Sequence, residues 1–239
     1  MSGRAPIAVA LDAPDLATVR TWTRAVAPSV STLKVGLEVY LRDGRAAVEL
    51  ARDASAQVAG EPCAIFLDLK LHDIPATVAG AARSVASLRP DFLTVHASGG
   101  AAMISAAAEA LPGTRVVAVT VLTSLGPEDL RTMGLLGEGG DIPDLARRLA
   151  VNAVRAGARA IVCSPEEVAD IRAALVEHVP HLVDDVVLIT PGVRPAGADV
   201  ADQVRVATPQ EALARGANLL VIGRPDRKST RLNSSHEWI

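Results

Sequence analysis

Eight short apolar runs punctuate this chain, and most are followed by a stretch with helical spacing. The runs are Ile7–Leu11, Leu33–Val39, Ala64–Lys70, Phe92–His96, Val116–Leu122, Ala160–Cys163, Val186–Thr190 and Leu219–Ile222. Helices are predicted over Leu16–Ala27, Arg42–Ala56, Ala76–Leu88, an Ala-rich segment ending at Ala110, Ile142–Ala156, Pro165–Glu177 and Thr208–Arg215. Regular strand-then-helix alternation implies parallel strands joined by right-handed crossovers. Eight such units within 239 residues predict an α/β fold of the (β/α)8 TIM-barrel type. A doubly wound open sheet is the runner-up. Against it, no G-x-G-x-x-G follows Ile7–Leu11, and G-x-x-x-x-G-K-[ST] occurs nowhere.

A barrel needs a large core, and a hydrophobic content of 49% supplies one. Aromatic residues make up only 2%, so Ala, Val, Leu and Ile must fill it. The net charge is −3 with no long basic run, which argues against nucleic acid or an anionic membrane as partner. The two cysteines, Cys63 and Cys163, lie in or beside apolar runs and read as buried free thiols. The N-terminus does not resemble a signal peptide, and no run of about 18 apolar residues is present. A soluble, cytoplasmic protein is expected.

Residues 1–224 read as one barrel domain, but the C-terminus departs from the pattern. A complete barrel needs a further helix after Leu219–Ile222. Residues 225–239 are polar, carry no helical apolar stripe and differ from the Ala/Val-rich body. They read as a non-native or disordered tail, resembling read-through into a sequencing adapter. The expectation is a barrel lacking its last helix, with apolar surface exposed on strands eight and one.

The third run carries the chemistry. In Ala64–Leu71, Asp68 and Lys70 share one face of a strand, while Leu67, Leu69 and Leu71 share the other. The charged face would enter an interior where unpaired charge is costly. Pro75 suits the first turn of the next helix, and Asp73 suits its positive end. Taken alone, Asp68 and Lys70 read equally well as a structural ion pair. Further polar residues lie near the predicted strand ends: Asp12, Lys34, His96, Thr123, Arg194 and Arg224. Singly, Asp12 could cap a turn, His96 could be a satisfied core histidine and Thr123 an ordinary strand-end residue. A barrel would bring all of them to one mouth. Gly223-Arg224 after strand eight fits a phosphate site, and Arg194 would add a bidentate contact. The loop Pro195–Gln203 reads either as a lid that would carry Gln203 to the ligand or as a solvated surface loop.

In this setting Asp68-Leu69-Lys70-Leu71-His72-Asp73, continuing into Ile74-Pro75-Ala76-Thr77, resembles the D-x-K-x-x-D signature of the orotidine 5′-phosphate decarboxylase family. Leu11-Asp12, Leu33-Lys34-Val35-Gly36, Thr120-Val121-Leu122-Thr123-Ser124, Thr190-Pro191-Gly192-Val193-Arg194, Asp202-Gln203 and Gly223-Arg224 add to the resemblance, which runs from about Ile7 to Arg224. It implies a cofactor-free, metal-free carboxy-lyase that converts orotidine 5′-monophosphate to UMP in pyrimidine biosynthesis. It also implies Lys70 as the catalytic acid, with Asp68, Lys34 and Asp73 completing a charged array. Asp12 and Lys34 would bind ribose, Thr123 the pyrimidine, and Arg194, Gln203, Gly223 and Arg224 the phosphate. Asp73 and Thr77 would be shared across a homodimer. Two alternatives stand beside this reading. One is a Mg²⁺-dependent sugar-phosphate decarboxylase or synthase of the same barrel type. The other is an inactive, truncated nucleotide-binding fragment.

Overall fold

The apolar runs pair in chain order, because each crossover returns the chain to the start of the neighbouring strand. The computed structural model describes residues 3–193 and 208–223. Its strands are β1 (Ala5–Ala10), β2 (Val30–Gly36), β3 (Ala64–Leu71), β4 (Phe92–His96), β5 (Arg115–Val119), β6 (Ala160–Val162), β7 (Val187–Thr190) and β8 (Leu219–Ile222). They form a closed barrel in that order, parallel throughout. Closure sets Ile7 against Leu220 and Val9 against Ile222.

The described helices are α1 (Leu16–Val26), α2 (Leu37–Asp43), α3 (Arg45–Ala59), α4 (Pro75–Val85), α5 (Ala101–Ala110), α6 (Pro127–Thr132), α7 (Ile142–Arg155), α8 (Val168–His178) and α9 (Pro209–Ala214). Their starts follow local chemistry. Asp15 accepts the Thr18 N–H at 2.7 Å ahead of α1, and Asp141 accepts the Asp144 N–H at 2.7 Å ahead of α7. Pro75 occupies the first turn of α4, as its fixed φ favours.

Side-chain alternation divides the apolar residues into two cores. Outward residues such as Leu33, Leu67 and Leu93 pack with Val48, Val78 and Ile171 of the helices. Inward residues Ala8, Phe66, Phe92, Val117, Ile189 and Leu219 fill the barrel interior. Phe66 and Phe92 sit two residues before Asp68 and Thr94 on their strands. The filled layer is therefore a floor, and the polar side chains stand above it at the carboxyl ends.

Several predicted boundaries move. β2 runs from Val30 to Gly36, so Leu37–Val39 are helical rather than strand. The single helix expected over Arg42–Ala56 is two, broken where Gly44 adopts φ +58°. β5 ends at Val119, after which the Thr120 N–H still reaches the Val162 carbonyl at 3.2 Å. Helix α8 begins at Val168, because Ser164–Glu167 form a turn closed by the Glu167 N–H on the Ser164 carbonyl. The expected exposed face on strands eight and one is also absent. Val9, Leu220 and Ile222 are buried in the outer core with Val19 of α1 and Ala212 of α9. Residues 225–239 lie outside the described residues.

Candidate active site

Register brings the charges together. Ala10 pairs with Lys34, and Gly36 pairs with Asp68, so the ends of β1, β2 and β3 lie side by side. Lys34 Nζ is 3.1 Å from Asp68 Oδ2 and 3.8 Å from Asp12 Oδ1. Lys70 Nζ donates to Asp68 Oδ1 at 2.8 Å. Asp68 is thus bracketed by two ammonium groups, with its side chain only 11% exposed. Burial pushes its carboxyl up, but the charges of Lys34 and Lys70 and their hydrogen bonds outweigh that and hold it below the ordinary carboxylate range. Gly36 gives the array its room: a Cβ there would lie 3.1 Å from Lys34 Nζ and 3.2 Å from Asp12 Oδ1.

β3 is distorted where it carries these groups. Leu67 pairs with Leu93 and Leu71 with Val95, so β3 uses two more residues than β4 over the same span. Lys70 sits in the left-handed region at φ +49°, an uncommon state for a residue with a Cβ. Its N–H donates to Thr94 Oγ1 at 2.8 Å, and Thr94 Oγ1 donates to Asp68 Oδ1 at 3.0 Å. Thr94 is fully buried. It carries no motif in the sequence; its one signal there is a polar residue at an inward position of an aliphatic strand.

Lys34, Asp68 and Lys70 open onto a cavity of about 160 Å³, whose wall includes Thr123, Cys163 and Pro191. Burial pushes the Cys163 thiol far up, so it serves as a neutral wall. A larger cavity of about 720 Å³ lies beside it, between His72, His96, Leu125, Leu145 and Arg155. The larger one is mostly apolar and is not lined by the carboxylate–ammonium array, which faces the smaller. His72 and His96 stand between β3 and β4 with ring centroids 5.4 Å apart. Burial, then His72 and Lys70, depress the His96 pKa and favour its neutral form.

Asp12, Lys34, Asp68, Lys70 and Thr123 therefore gather at one barrel mouth, and Gly223 follows β8 at the same end. Asp73 and Thr77 do not join them within one chain: both are exposed, and Asp73 accepts the N–H of Ile74 at 2.6 Å. Arg194, Gln203 and Arg224, with the lid expected over 195–203, lie outside the described residues.

Residues 5–230 match the family model described as Orotidine 5′-phosphate decarboxylase / HUMPS family. An orotidine 5′-phosphate decarboxylase of Thermobifida fusca is 64% identical over 221 residues, covering 92% of this chain and 88% of the relative. One of Frankia casuarinae is 54% identical, covering 93% and 82%. Among solved structures, the orotidine 5′-phosphate decarboxylase of Lactobacillus acidophilus superposes with a TM-score of 0.77 at 30% identity, covering 97% of this chain and 96% of that one.

Proposed function

The chain belongs to the orotidine 5′-phosphate decarboxylase / HUMPS family, and from that premise we propose that it converts orotidine 5′-monophosphate to UMP with Lys70 as proton donor. The observation that carries the reading is Lys70 Nζ, held 2.8 Å from a buried Asp68 at the edge of a cavity in the barrel mouth. Losing CO2 breaks the bond from C6 of the pyrimidine and leaves its electron pair on carbon. No adjacent π-system takes up that pair. An ammonium at C6 stabilises the developing charge and then transfers a proton to the same carbon. Asp68 accepts from the Lys70 ammonium and aims it, and Lys34 balances Asp68 from the other side. Asp12 and Lys34 are assigned to the ribose hydroxyls and Thr123 to the base. Gly223, with Arg194, Gln203 and Arg224, is assigned to the phosphate. Binding energy from that remote phosphate can order the site for a reaction at C6.

The test is the fall in ultraviolet absorbance when purified protein meets orotidine 5′-monophosphate in the presence of EDTA. Sustained turnover is expected. Activity that appears only with added Mg²⁺ would favour the sugar-phosphate branch instead, a reading that the decarboxylase names of both relatives disfavour.

The active form is a homodimer in which Asp73 and Thr77 complete the partner's site. Supporting this, both residues are exposed beyond the end of β3, beside Ile74, which is 66% exposed. Exposed aliphatic side chains next to polar groups mark an association surface. Mixing inactive Lys70→Ala and Asp73→Ala subunits should regenerate activity, because one site of each mixed dimer is then intact. A mixture as inactive as its components would refute the shared site.

A further inference from the structure

We infer that Thr94 is a positioning residue for the proton donor: its one hydroxyl fixes both the backbone of Lys70 and the carboxylate that orients the Lys70 ammonium. The inference rests on the reading of Lys70 as the acid.

The extra residues in β3 take the Lys70 N–H out of the regular ladder with β4. A buried N–H needs an acceptor, and here it is a side chain rather than a carbonyl: Thr94 Oγ1 at 2.8 Å. A hydroxyl has one proton to give and lone pairs to receive. Thr94 receives from Lys70 and gives its proton to Asp68 Oδ1, the same oxygen that accepts from Lys70 Nζ. The three residues close a ring: backbone N–H to hydroxyl, hydroxyl to carboxylate, and ammonium to the same carboxylate. The ring ties the left-handed turn at Lys70 to the position of its own side-chain nitrogen. Strained backbone persists only where its surroundings fix it, and this hydroxyl contributes directly to that constraint. Thr94 itself stands on a regular stretch of β4, one layer above Phe92 in the packed interior. Its support is therefore rigid.

Thr94→Val keeps the shape of the side chain and removes both hydrogen bonds, whereas Thr94→Ser keeps the hydroxyl. Turnover of orotidine 5′-monophosphate and equilibrium binding of UMP should be measured for both, with Lys70→Ala as the control. Thr94→Val should lose about 10²-fold in kcat, the scale of an ångström-sized misplacement, while its UMP dissociation constant and circular dichroism stay unchanged. Thr94→Ser should recover most of the loss. Thr94→Ala, which adds no methyl contact against Asp68, should show the same split between kcat and binding. Wild-type kcat in Thr94→Val beside an inactive Lys70→Ala overturns the role of Thr94 alone. Parallel loss of kcat and UMP binding in both Thr94→Val and Thr94→Ala, or a Thr94→Ser variant as poor as Thr94→Val, also overturns it. Near-normal turnover in Lys70→Ala removes the underlying reading instead.

Discussion

Lys70→Ala will bind UMP and fail to decarboxylate. Two contributions vanish with the ammonium: stabilisation of charge at C6 and the proton that quenches it. Each is typically worth a factor of about 10² or more, so turnover should fall by about 10⁴-fold or further. The variant should still fold. Asp68 keeps Lys34 at 3.1 Å and the Thr94 hydroxyl at 3.0 Å, so its carboxylate is not left without compensation. UMP carries no carboxylate at C6, and the groups assigned to ribose and phosphate are untouched. Isothermal titration with UMP beside the absorbance assay separates the two effects. Near-normal turnover would remove Lys70 from the chemistry, and loss of UMP binding would mean that the substitution damages the site as a whole.

Asp68→Asn should be costly twice over. A carboxylate offers two acceptor oxygens, one to Lys34 and one shared by Lys70 and Thr94. An amide offers one oxygen and one NH2, so an N–H must face an ammonium or the hydroxyl proton. The two lysines also lose the charge between them. Breaking a buried ion pair from one side costs about 3 kcal/mol, and a donor aimed by an uncharged neighbour should lose at least about 10²-fold in kcat. The pH dependence has a definite sign. Folding depresses the Asp68 pKa, so its contribution to stability is complete above the unfolded value of about 4 and is lost as pH falls through the lower folded value. The gap in melting temperature between wild type and Asp68→Asn should therefore persist at pH 5 and narrow only in stronger acid. A gap that closes between pH 7 and pH 5 would show that the pair is not held as the geometry implies.

The fold was legible because its signals are local and repeated. Each strand is a short, largely aliphatic run, and most described helices have a cap or an apolar stripe. Boundaries moved where a residue's own preference misleads. Ser31 and Thr32 interrupt the apolar count yet lie in β2, and Leu37 continues that count yet starts α2. Asp12, Lys34, Asp68 and Lys70 were readable as a set because charge at the carboxyl ends of strands is unusual and the barrel order places them together. Thr94 was not readable in that way. Its role depends on the slip between β3 and β4 and on the left-handed Lys70, and neither leaves a mark in the residues that create it. A threonine in a strand is ordinary; only the neighbouring backbone makes it a bridge.

The pairing of β1 with β8 has a consequence for how the protein is made. β1 leaves the ribosome well ahead of β8, the strand that completes it. At roughly 5–20 residues per second, the edge formed by Ile7, Ala8 and Val9 waits on the order of ten seconds or more for its partner. During that interval the nascent sheet carries a row of unpaired N–H and C=O groups beside aliphatic side chains, a template for the wrong strand. The interval belongs to the closed topology itself, and expression temperature and chaperone supply act on it directly.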